Sequence, residues 1–252
     1  MECITSRQNG MIQHIRKLAS NRKYRRESGE FLCEGPKMWA EAMEHGWVIS
    51  TLMTCEENIL HTYEGTPGRS VLVSPELLSY AADTETPQKM IFTCCLPEEE
   101  ESLPGERLLV LDGVQDPGNV GTIWRTADAF GADALVLLPG CADPWSPKVV
   151  RSTMGACFRL PVLCCTLEEL TEKLEETKLS MYATALREDT GDIRKADLSR
   201  AAVVIGSEGR GVSDAVLERC KATLKIPMRE RCESLNAAMA AGIVLWESFR
   251  SI

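Results

Sequence analysis

The sequence lacks the long apolar segments of membrane and secreted proteins. No run approaches the roughly 20 consecutive apolar residues of a membrane-spanning helix, and the first ten residues contain no apolar stretch typical of a signal peptide. These absences predict a soluble cytoplasmic protein with no membrane partner. With 252 residues, 44% of them hydrophobic, the chain is long enough to bury a full core in one large or two small domains.

Metal-ligand patterns are also missing. The eleven cysteines are odd in number and scattered, no CxxC pair occurs, and none of the three histidines is placed to suggest a zinc site. We therefore predict that no metal is bound. The cysteines are predicted to be reduced thiols that act mostly as small apolar side chains.

Two common nucleotide-binding fingerprints are absent as well. The glycines of GSEGRG (206–211) do not have the G-x-G-x-x-G spacing, and no GxxxxGK[ST] sequence occurs. A nucleotide-binding oxidoreductase and a P-loop protein are therefore disfavoured.

Positive charge is scarce overall and concentrated at one end. The net charge of -9 argues against indiscriminate binding of polyanions, since phosphate contacts require Lys and Arg. The first 26 residues nevertheless contain a single acid, Glu2, and many bases. This end is either a phosphate-binding arm or a solvated helix face. The bases are Arg7, Arg16, Lys17, Arg22, Lys23, Arg25 and Arg26.

The chain divides at an acidic stretch. Residues 96–106 contain four consecutive glutamates framed by prolines and a glycine, which predicts a solvated linker. Before it, residues 1–95 predict a small α/β domain with helices at 7–25 and 37–45 and strands at 31–34 and 48–53. After it, residues 107–252 alternate about six apolar strands with helices, which predicts a parallel sheet covered on both faces.

Three loops of the larger domain follow strands and are marked by glycine or proline. They are DGVQDPGNVG after Leu108–Leu111, GSEGRG after Val203–Ile205, and the stretch from Pro227 to Asn236. In the third, Ser234 is predicted to cap a helix whose apolar positions include Met239, Ile243 and Trp246. Loops that follow parallel strands are where α/β proteins bind ligands, so the three are expected to line one side of the sheet.

Polar residues in these loops are candidates for the site. Glu208, between glycines after a buried strand, can orient a ligand or a cationic side chain, unless GSEGRG is only a tight turn. If a helix begins near Gly121, Asn119 and Arg125 can face one cleft, where arginine offers a fork for phosphate. The alternative is a surface Arg125 paired with Asp128.

Taken in order, NVGTIWR, GSEGRG and IPMRERCESLNAAMAAGIVLWE resemble the three motifs of the SpoU/TrmH family of RNA ribose 2'-O-methyltransferases. The resemblance covers residues 106–249, and residues 1–95 look more loosely like the family's substrate-binding domain. It implies a trefoil-knotted parallel-sheet domain that uses S-adenosyl-L-methionine. It also implies a homodimer through this domain, in which two protomers complete each active site.

The resemblance further implies roles for individual residues. The 2'-oxygen of a ribose would attack the methyl carbon of a sulfonium, and Arg125 matches the residue to which the family assigns removal of the hydroxyl proton. A guanidinium stays protonated at ordinary pH, so positioning of the RNA phosphate is the alternative role for Arg125. The site would be shaped by Asn119, Glu208, Ser234 and Asn236. The implied cofactor contacts are Thr184, Ala185, Gly206, Glu208, Ile226, Met228, Ser234, Leu235 and Asn236.

RNA is the implied partner, with ribosomal RNA favoured over transfer RNA because the N-terminal domain resembles that of rRNA-directed members. Lys148 and Arg151 match a family segment beside the site and can grip the RNA backbone, unless they form an exposed helix face. The remaining phosphate contacts would come from Arg16, Lys17, Arg22, Lys23, Arg25 and Arg26. A non-catalytic RNA-binding protein on the same fold is the alternative, which the presence of every polar motif residue disfavours.

Overall fold

A computed structural model describes residues 2–63, 68–82, 84, 86–98, 102–187, 190–229 and 234–250, without the side chain of Phe249. The chain forms two compact units. Unit 1 comprises Met1–Glu98 with Trp145–Phe158, and unit 2 comprises Glu99–Pro144 with Arg159–Ile252. No feature of the sequence marks Trp145–Phe158 as part of the first unit. Of the predicted linker, residues 99–101 lie outside the described residues.

Unit 1 contains a five-stranded mixed sheet. Its strands are β1 (Glu2–Ile4), β2 (Glu30–Glu34), β3 (Ile49–Thr54), β4 (Arg69–Val73) and β5 (Met90–Cys95). The strand order is β1-β4-β3-β5-β2, in which β1, β4 and β3 run parallel while β5 is antiparallel to β3 and β2. The helices are α1 (Gly10–Ser20), α2 (Arg22–Ser28), α3 (Pro36–Glu44), α4 (Glu57–Thr62) and α5 (Pro75–Ala81). The α/β character predicted for this part is confirmed.

The single helix predicted at 7–25 is wrong, because the structure has two helices there. Asn21 is extended, with φ -125° and ψ 108°, and its side chain accepts a hydrogen bond of 3.0 Å from the backbone N–H of Tyr24. An asparagine that caps a new helix competes with continuation of the old one. The apolar side of α1, with Ile12, Ile15 and Leu18, packs into the core on one face of the sheet.

A hydrogen-bonded chain of polar groups ties the two helices to the sheet. The two ring nitrogens of His14 lie 2.9 Å from the Tyr24 hydroxyl and 3.0 Å from Glu30 Oε2. An ionised carboxylate only accepts, so the imidazole donates to it. This hydrogen bond is the main cause that lowers the pKa of Glu30, against the opposing effect of burial.

Replacing Glu30 by glutamine is expected to destabilise the protein in a pH-dependent way. Because the folded-state pKa of Glu30 lies below its unfolded value of about 4.3, its contribution is present above that pH and is lost as the pH falls through the folded pKa. A half-buried, charge-assisted hydrogen bond contributes about 1 kcal/mol. Urea unfolding of wild type and Glu30→Gln from neutral to acidic pH measures this difference.

Glu27→Gln, which removes an exposed carboxylate 3.5 Å from Lys23, is the control and should change stability by less than about 0.5 kcal/mol. A Glu30→Gln deficit that stays constant with pH would contradict the assignment.

Unit 2 contains an all-parallel sheet of seven strands. They are β6 (Arg107–Asp112), β7 (Ala134–Leu137), β8 (Val162–Cys164), β9 (Ser180–Thr184), β10 (Gly191–Asp192), β11 (Ala201–Gly206) and β12 (Ala222–Lys225). The order is β10-β12-β9-β11-β6-β7-β8. The parallel sheet is confirmed, and the predicted count of about six missed β10, whose two residues are too short for a sequence pattern.

Helices connect these strands. They are α6 (Pro117–Ala129), α7 (Pro147–Thr153), α8 (Leu167–Thr177), α9 (Asp214–Leu217) and α10 (Ala237–Arg250), of which α7 packs with unit 1. α10 packs against α6 and also contacts β11. The apolar strand centres, such as Val110, Val136 and Val204, are fully buried. No helix among the described residues is both long and apolar enough to cross a membrane.

The cysteines behave largely as the composition predicts. Cys33, Cys94 and Cys157 are buried. Burial raises the pKa of the Cys141 thiol to about 11 and that of Cys220 to about 12. Thiols with such pKa values stay protonated and unreactive near neutral pH.

Candidate functional site

A cavity of ≈ 370 Å³ opens in unit 2 beyond the carboxyl ends of β12, β9 and β11, which are neighbours in the sheet. Carboxyl ends of parallel strands are the usual ligand site of open α/β sheets, and ligand cavities typically measure about 300–1,000 Å³. Its lining residues are Thr184, Ala185, Leu186, Ile205, Gly206, Ser207, Glu208, Gly209, Gly211, Leu224, Lys225, Ile226, Met228, Ser234, Leu235, Ala237 and Ala240. Loops that are distant in sequence therefore meet around one space.

The loop GSEGRG forms one wall of the cavity as a tight turn. Ser207 and Gly211 exchange two backbone hydrogen bonds, of 3.1 and 2.9 Å, and Gly211 has φ +69°. At Gly206 an added Cβ would lie 2.0 Å from the backbone carbon of Gly211, a distance no side chain can adopt. The tight-turn interpretation is therefore correct, and the turn at the same time presents Glu208 to the cavity.

Three predicted polar residues form a hydrogen-bonded chain beside the cavity. Asn119 Nδ2 donates to Glu208 Oε1, and Asn236 Nδ2 donates to Asn119 Oδ1 over 3.2 Å. The partner of Glu208 is thus an amide, not a cationic side chain. Because the Glu208 carboxylate can only accept, Nδ2 of Asn119 must face Glu208 and Oδ1 must face Asn236. One residue from each of three motifs therefore meets here.

The helix that carries Asn119 and Arg125 begins earlier than predicted. Asp116 accepts a 2.8 Å hydrogen bond from the Asn119 N–H, and Pro117 occupies the first turn. Since α6 starts at Pro117 and not near Gly121, Asn119 is itself helical. The six-residue separation then places Arg125 roughly 120° around the helix and about 9 Å further along its axis.

Arg125 does not line the cavity of its own chain. Its side chain is exposed, and the described residues include no ion-pair partner for it. The alternative pairing of Arg125 with Asp128 is not found, and the Asp128 carboxylate instead accepts from Arg159 over 2.8 Å. The neighbouring Trp124 is buried and donates to the Leu160 carbonyl at 3.0 Å, which fixes the rotation of the helix.

The cap of α10 also differs from the prediction. Asn236, rather than Ser234, accepts hydrogen bonds from the backbone N–H groups of Ala238 and Met239, at 3.0 and 3.3 Å. Ser234 lies two residues earlier and lines the cavity. Residues 230–233 of this motif lie outside the described residues.

Most of the predicted cofactor residues line the cavity. The exception is Asn236, which is instead held by the helix cap and by Asn119. At Thr184 the hydroxyl donates to the Val204 carbonyl at 2.9 Å, and the N–H of Ala185 donates to the Leu224 carbonyl at 3.0 Å. These two residues therefore offer mainly acceptor groups to a ligand.

Sequence reasoning missed several lining residues. Leu186 and Lys225 are the clearest cases, since each lies at or just after the end of a strand already predicted to face the site. Both stand inside stretches predicted as strands, MYATAL (181–186) and TLKIP (223–227), so their positions next to Ala185 and Ile226 were the available signal. Ala237 and Ala240 had no such signal, because only the approach of α10 places them there.

The predicted RNA-binding residues of unit 1 divide into two groups. Arg25 is only 4% exposed, and its guanidinium donates to the carbonyls of Leu18 and Ala19 near the end of α1. Such a group is not presented to solvent, so its role is structural and the prediction that it contacts RNA is corrected. Exposed positions are held by Arg16, Lys17, Arg22, Lys23, Arg26 and Lys148, while Arg151 is half-buried on α7.

Comparison with known proteins adds family information to this geometry. The profile of the SpoU rRNA Methylase family matches residues 106–246, and that of the MRM3-like substrate binding domain matches residues 9–91. A Bacillus subtilis protein named 23S rRNA (guanosine(2553)-2'-O)-methyltransferase RlmP is 33% identical over 246 residues, which cover 98% of each chain.

Two solved structures are similar along nearly the whole chain. The AdoMet-bound rRNA methyltransferase from Sinorhizobium meliloti has a TM-score of 0.89 at 31% identity and covers 100% of this chain and 98% of its own. The SpoU methyltransferase AviRb from Streptomyces viridochromogenes, in complex with AdoMet, has a TM-score of 0.88 at 30% identity and covers 96% of this chain and 98% of its own.

Proposed function

The chain belongs to the SpoU rRNA methylase family, and from this premise we propose that it transfers a methyl group from S-adenosyl-L-methionine to a ribose 2'-hydroxyl of ribosomal RNA. The observation that carries the proposal is the hydrogen-bonded chain of Asn236, Asn119 and Glu208 at the mouth of a cofactor-sized cavity. It brings the polar residues of three motifs to one place at the carboxyl end of the sheet.

The cavity fits the cofactor in size and chemistry. Its walls combine apolar side chains such as Ile205, Leu235 and Met228 with loop backbone, as an adenosyl group requires. The GSEGRG wall can close this tightly only because Gly206 has no Cβ, which lets the backbone of Gly211 and Val212 pack against it. When bound, S-adenosyl-L-methionine supplies an electrophilic methyl group on a sulfonium.

The residues of the chain act by holding and aligning. Glu208, oriented by the Asn119 amide, contributes a carboxylate to the cavity wall, and Ser234 contributes a hydroxyl from the loop before α10. Alignment of the reacting groups supplies a large part of the acceleration in such a displacement. Asn236 does not line the cavity and acts indirectly, because it caps α10 and its amide donates to Asn119.

We assign Arg125 to the cavity of a second copy of the chain. Its side chain is exposed and does not line its own cavity, and exposed apolar side chains lie on the adjacent α10, where Met239 is 63% and Trp246 is 52% exposed. These were the apolar positions that the sequence pattern marked, and the helix instead buries Ala241, Val244 and Leu245. A two-fold pairing of the α6–α10 faces would cover them and bring each Arg125 to the partner's site.

The trefoil knot remains part of this proposal. It is supported by the route of the chain, since β12 pairs with β9 on one side of β11, whereas the following α10 packs against α6 and β11. The profile match of residues 9–91 and the name of the Bacillus subtilis relative favour ribosomal over transfer RNA. Cytoplasmic location stays a prediction.

Incubation of the protein with methyl-tritiated S-adenosyl-L-methionine and unmodified ribosomal RNA tests the proposal. We expect tritium in the RNA, at a ribose that becomes resistant to alkaline cleavage. An Asn119→Asp variant is the matched control, because a second carboxylate facing Glu208 removes the amide donor, and it should lose about 100-fold in rate. Transfer to transfer RNA alone would favour that substrate. Binding of RNA without binding of S-adenosyl-L-methionine in calorimetry would favour a non-catalytic protein.

A further inference from the structure

Two arginines of unit 1 share one aromatic ring. The guanidinium carbon of Arg7 lies 4.4 Å from the ring centroid of Tyr80, and that of Arg16 lies 4.0 Å from the same centroid. Arg16 Nη1 also donates a 3.0 Å hydrogen bond to the Tyr80 carbonyl. The ring itself is half-buried against the unit 1 core. We call these three side chains the Arg7–Tyr80–Arg16 cluster.

The cluster concentrates positive charge that its described surroundings do not neutralise. Both arginines are exposed, and among the residues that the structure describes neither has a carboxylate partner. Glu2, the single acid of the first 26 residues, accepts two hydrogen bonds from Arg69, so its charge is already paired with another arginine. Two cations beside one ring repel each other, and the negative face of the ring offsets this only in part.

Stacking prepares these guanidiniums to bind an anion. A guanidinium fixed over an aromatic face has already lost much of its rotamer freedom, so binding costs less further entropy. Its in-plane N–H groups remain directed sideways, where they match two oxygens of a phosphate. The loop before α1 is also held in place, because Gln13 Nε2 donates to the Arg7 carbonyl at 2.8 Å.

We propose that the Arg7–Tyr80–Arg16 cluster is a binding site for backbone phosphates of the RNA substrate, with one phosphate at each arginine and Tyr80 as the positioning residue. The site rests on the proposed function for its ligand. It gives Arg7 and Arg16, two bases of the N-terminal arm, a defined geometry, and it assigns Tyr80 the role of holding them. Neighbouring Lys17 lies 5.3 Å from the ring of Tyr24 and extends the same arrangement along α1.

The test is the salt dependence of RNA binding, measured by fluorescence anisotropy of full-length protein with labelled oligouridine. The logarithm of the binding constant falls linearly as log salt rises, and each lost phosphate contact makes this slope shallower by about 0.7 for single strands. Arg7→Gln and Arg16→Gln should each lower it by about that amount, and the double variant by about 1.4. Tyr80→Leu should weaken binding about fivefold, while Tyr80→Phe, which keeps the ring, should bind as wild type does.

Arg69→Gln is the matched control, since it removes one exposed cation of the same unit that is already paired with Glu2. An equal loss of slope in this control, or an unchanged slope in the double variant, would overturn the proposal. Thermal melting checks that each variant folds. If Arg16→Gln unfolds the chain because it loses the hydrogen bond to the Tyr80 carbonyl, the slope of the Arg7→Gln variant alone tests the proposal. Failure of the wild type to methylate any RNA would instead count against the proposed function, because the slopes are measured without cofactor.

Discussion

Replacing Gly206 by alanine is expected to weaken cofactor binding at least 30-fold. The added Cβ would lie 2.0 Å from the backbone carbon of Gly211 and 2.2 Å from the backbone nitrogen of Val212, so the GSEGRG turn must open to accept it. Relief of such overpacking costs about 1–3 kcal/mol or more of stability, and it moves the wall that carries Glu208. We expect calorimetry to show at least a 30-fold loss of S-adenosyl-L-methionine affinity, which corresponds to about 2 kcal/mol.

Gly209→Ala is the matched control for folding. It lies in the same turn, but an added Cβ there meets no atom within 4 Å, so the melting temperature should stay close to that of wild type. Gly206→Ala should melt several degrees lower. If Gly206→Ala binds S-adenosyl-L-methionine with unchanged affinity, the cavity beyond β9, β11 and β12 is not the cofactor site.

Replacing Arg125 by alanine is expected to lower the rate of methyl transfer by about 100- to 1,000-fold, the usual cost of removing one group that acts on the reacting atoms. Affinity for S-adenosyl-L-methionine should change by less than about twofold, because both roles considered for Arg125, removal of the hydroxyl proton and positioning of a phosphate, are directed at the RNA and not at the cofactor. Arg125→Lys should be nearly as defective, since an ammonium lacks the planar fork. Single-turnover kinetics measures the rate of methyl transfer, and calorimetry separately measures the affinity for S-adenosyl-L-methionine. Near-normal turnover of Arg125→Lys would rule out both proton removal and phosphate positioning by this residue.

Mixed dimers test whether Arg125 acts on the partner's cavity. Arg125→Ala and Asn119→Asp chains are each expected to be inactive alone. If each site takes Arg125 from one chain and Asn119 from the other, a mixed dimer contains one intact site, and random mixing restores about a quarter of wild-type activity. No recovery on mixing, with mixed dimers confirmed by tag capture, would contradict the shared site.

Local patterns in the sequence were sufficient to predict the layout of unit 2. Alternation of apolar strands with helices predicted a parallel sheet, and loops marked by glycine after its strands predicted the site, because carboxyl ends of parallel strands share one edge. The chain also belongs to the family that three ordered motifs suggested. Three of the errors concern where helices begin: Asn21 starts a second helix in unit 1, α6 begins at Pro117, and Asn236 caps α10. Each depends on a capping hydrogen bond that the residue type permits but does not require.

By itself, then, the amino-acid sequence determined the elements, the parallel sheet and which loops carry chemistry, because helix and strand periodicity and turn residues act over a few neighbours. Only the tertiary structure decided what those residues touch. In it, Asn119 bonds to Glu208 and Asn236. Asp128 pairs with Arg159, and Arg25 is buried against the end of α1. Arg125 and Trp246 are exposed. The reason is that hydrogen bonds and burial between distant residues depend on how the elements pack, which patterns over a few neighbouring residues do not specify.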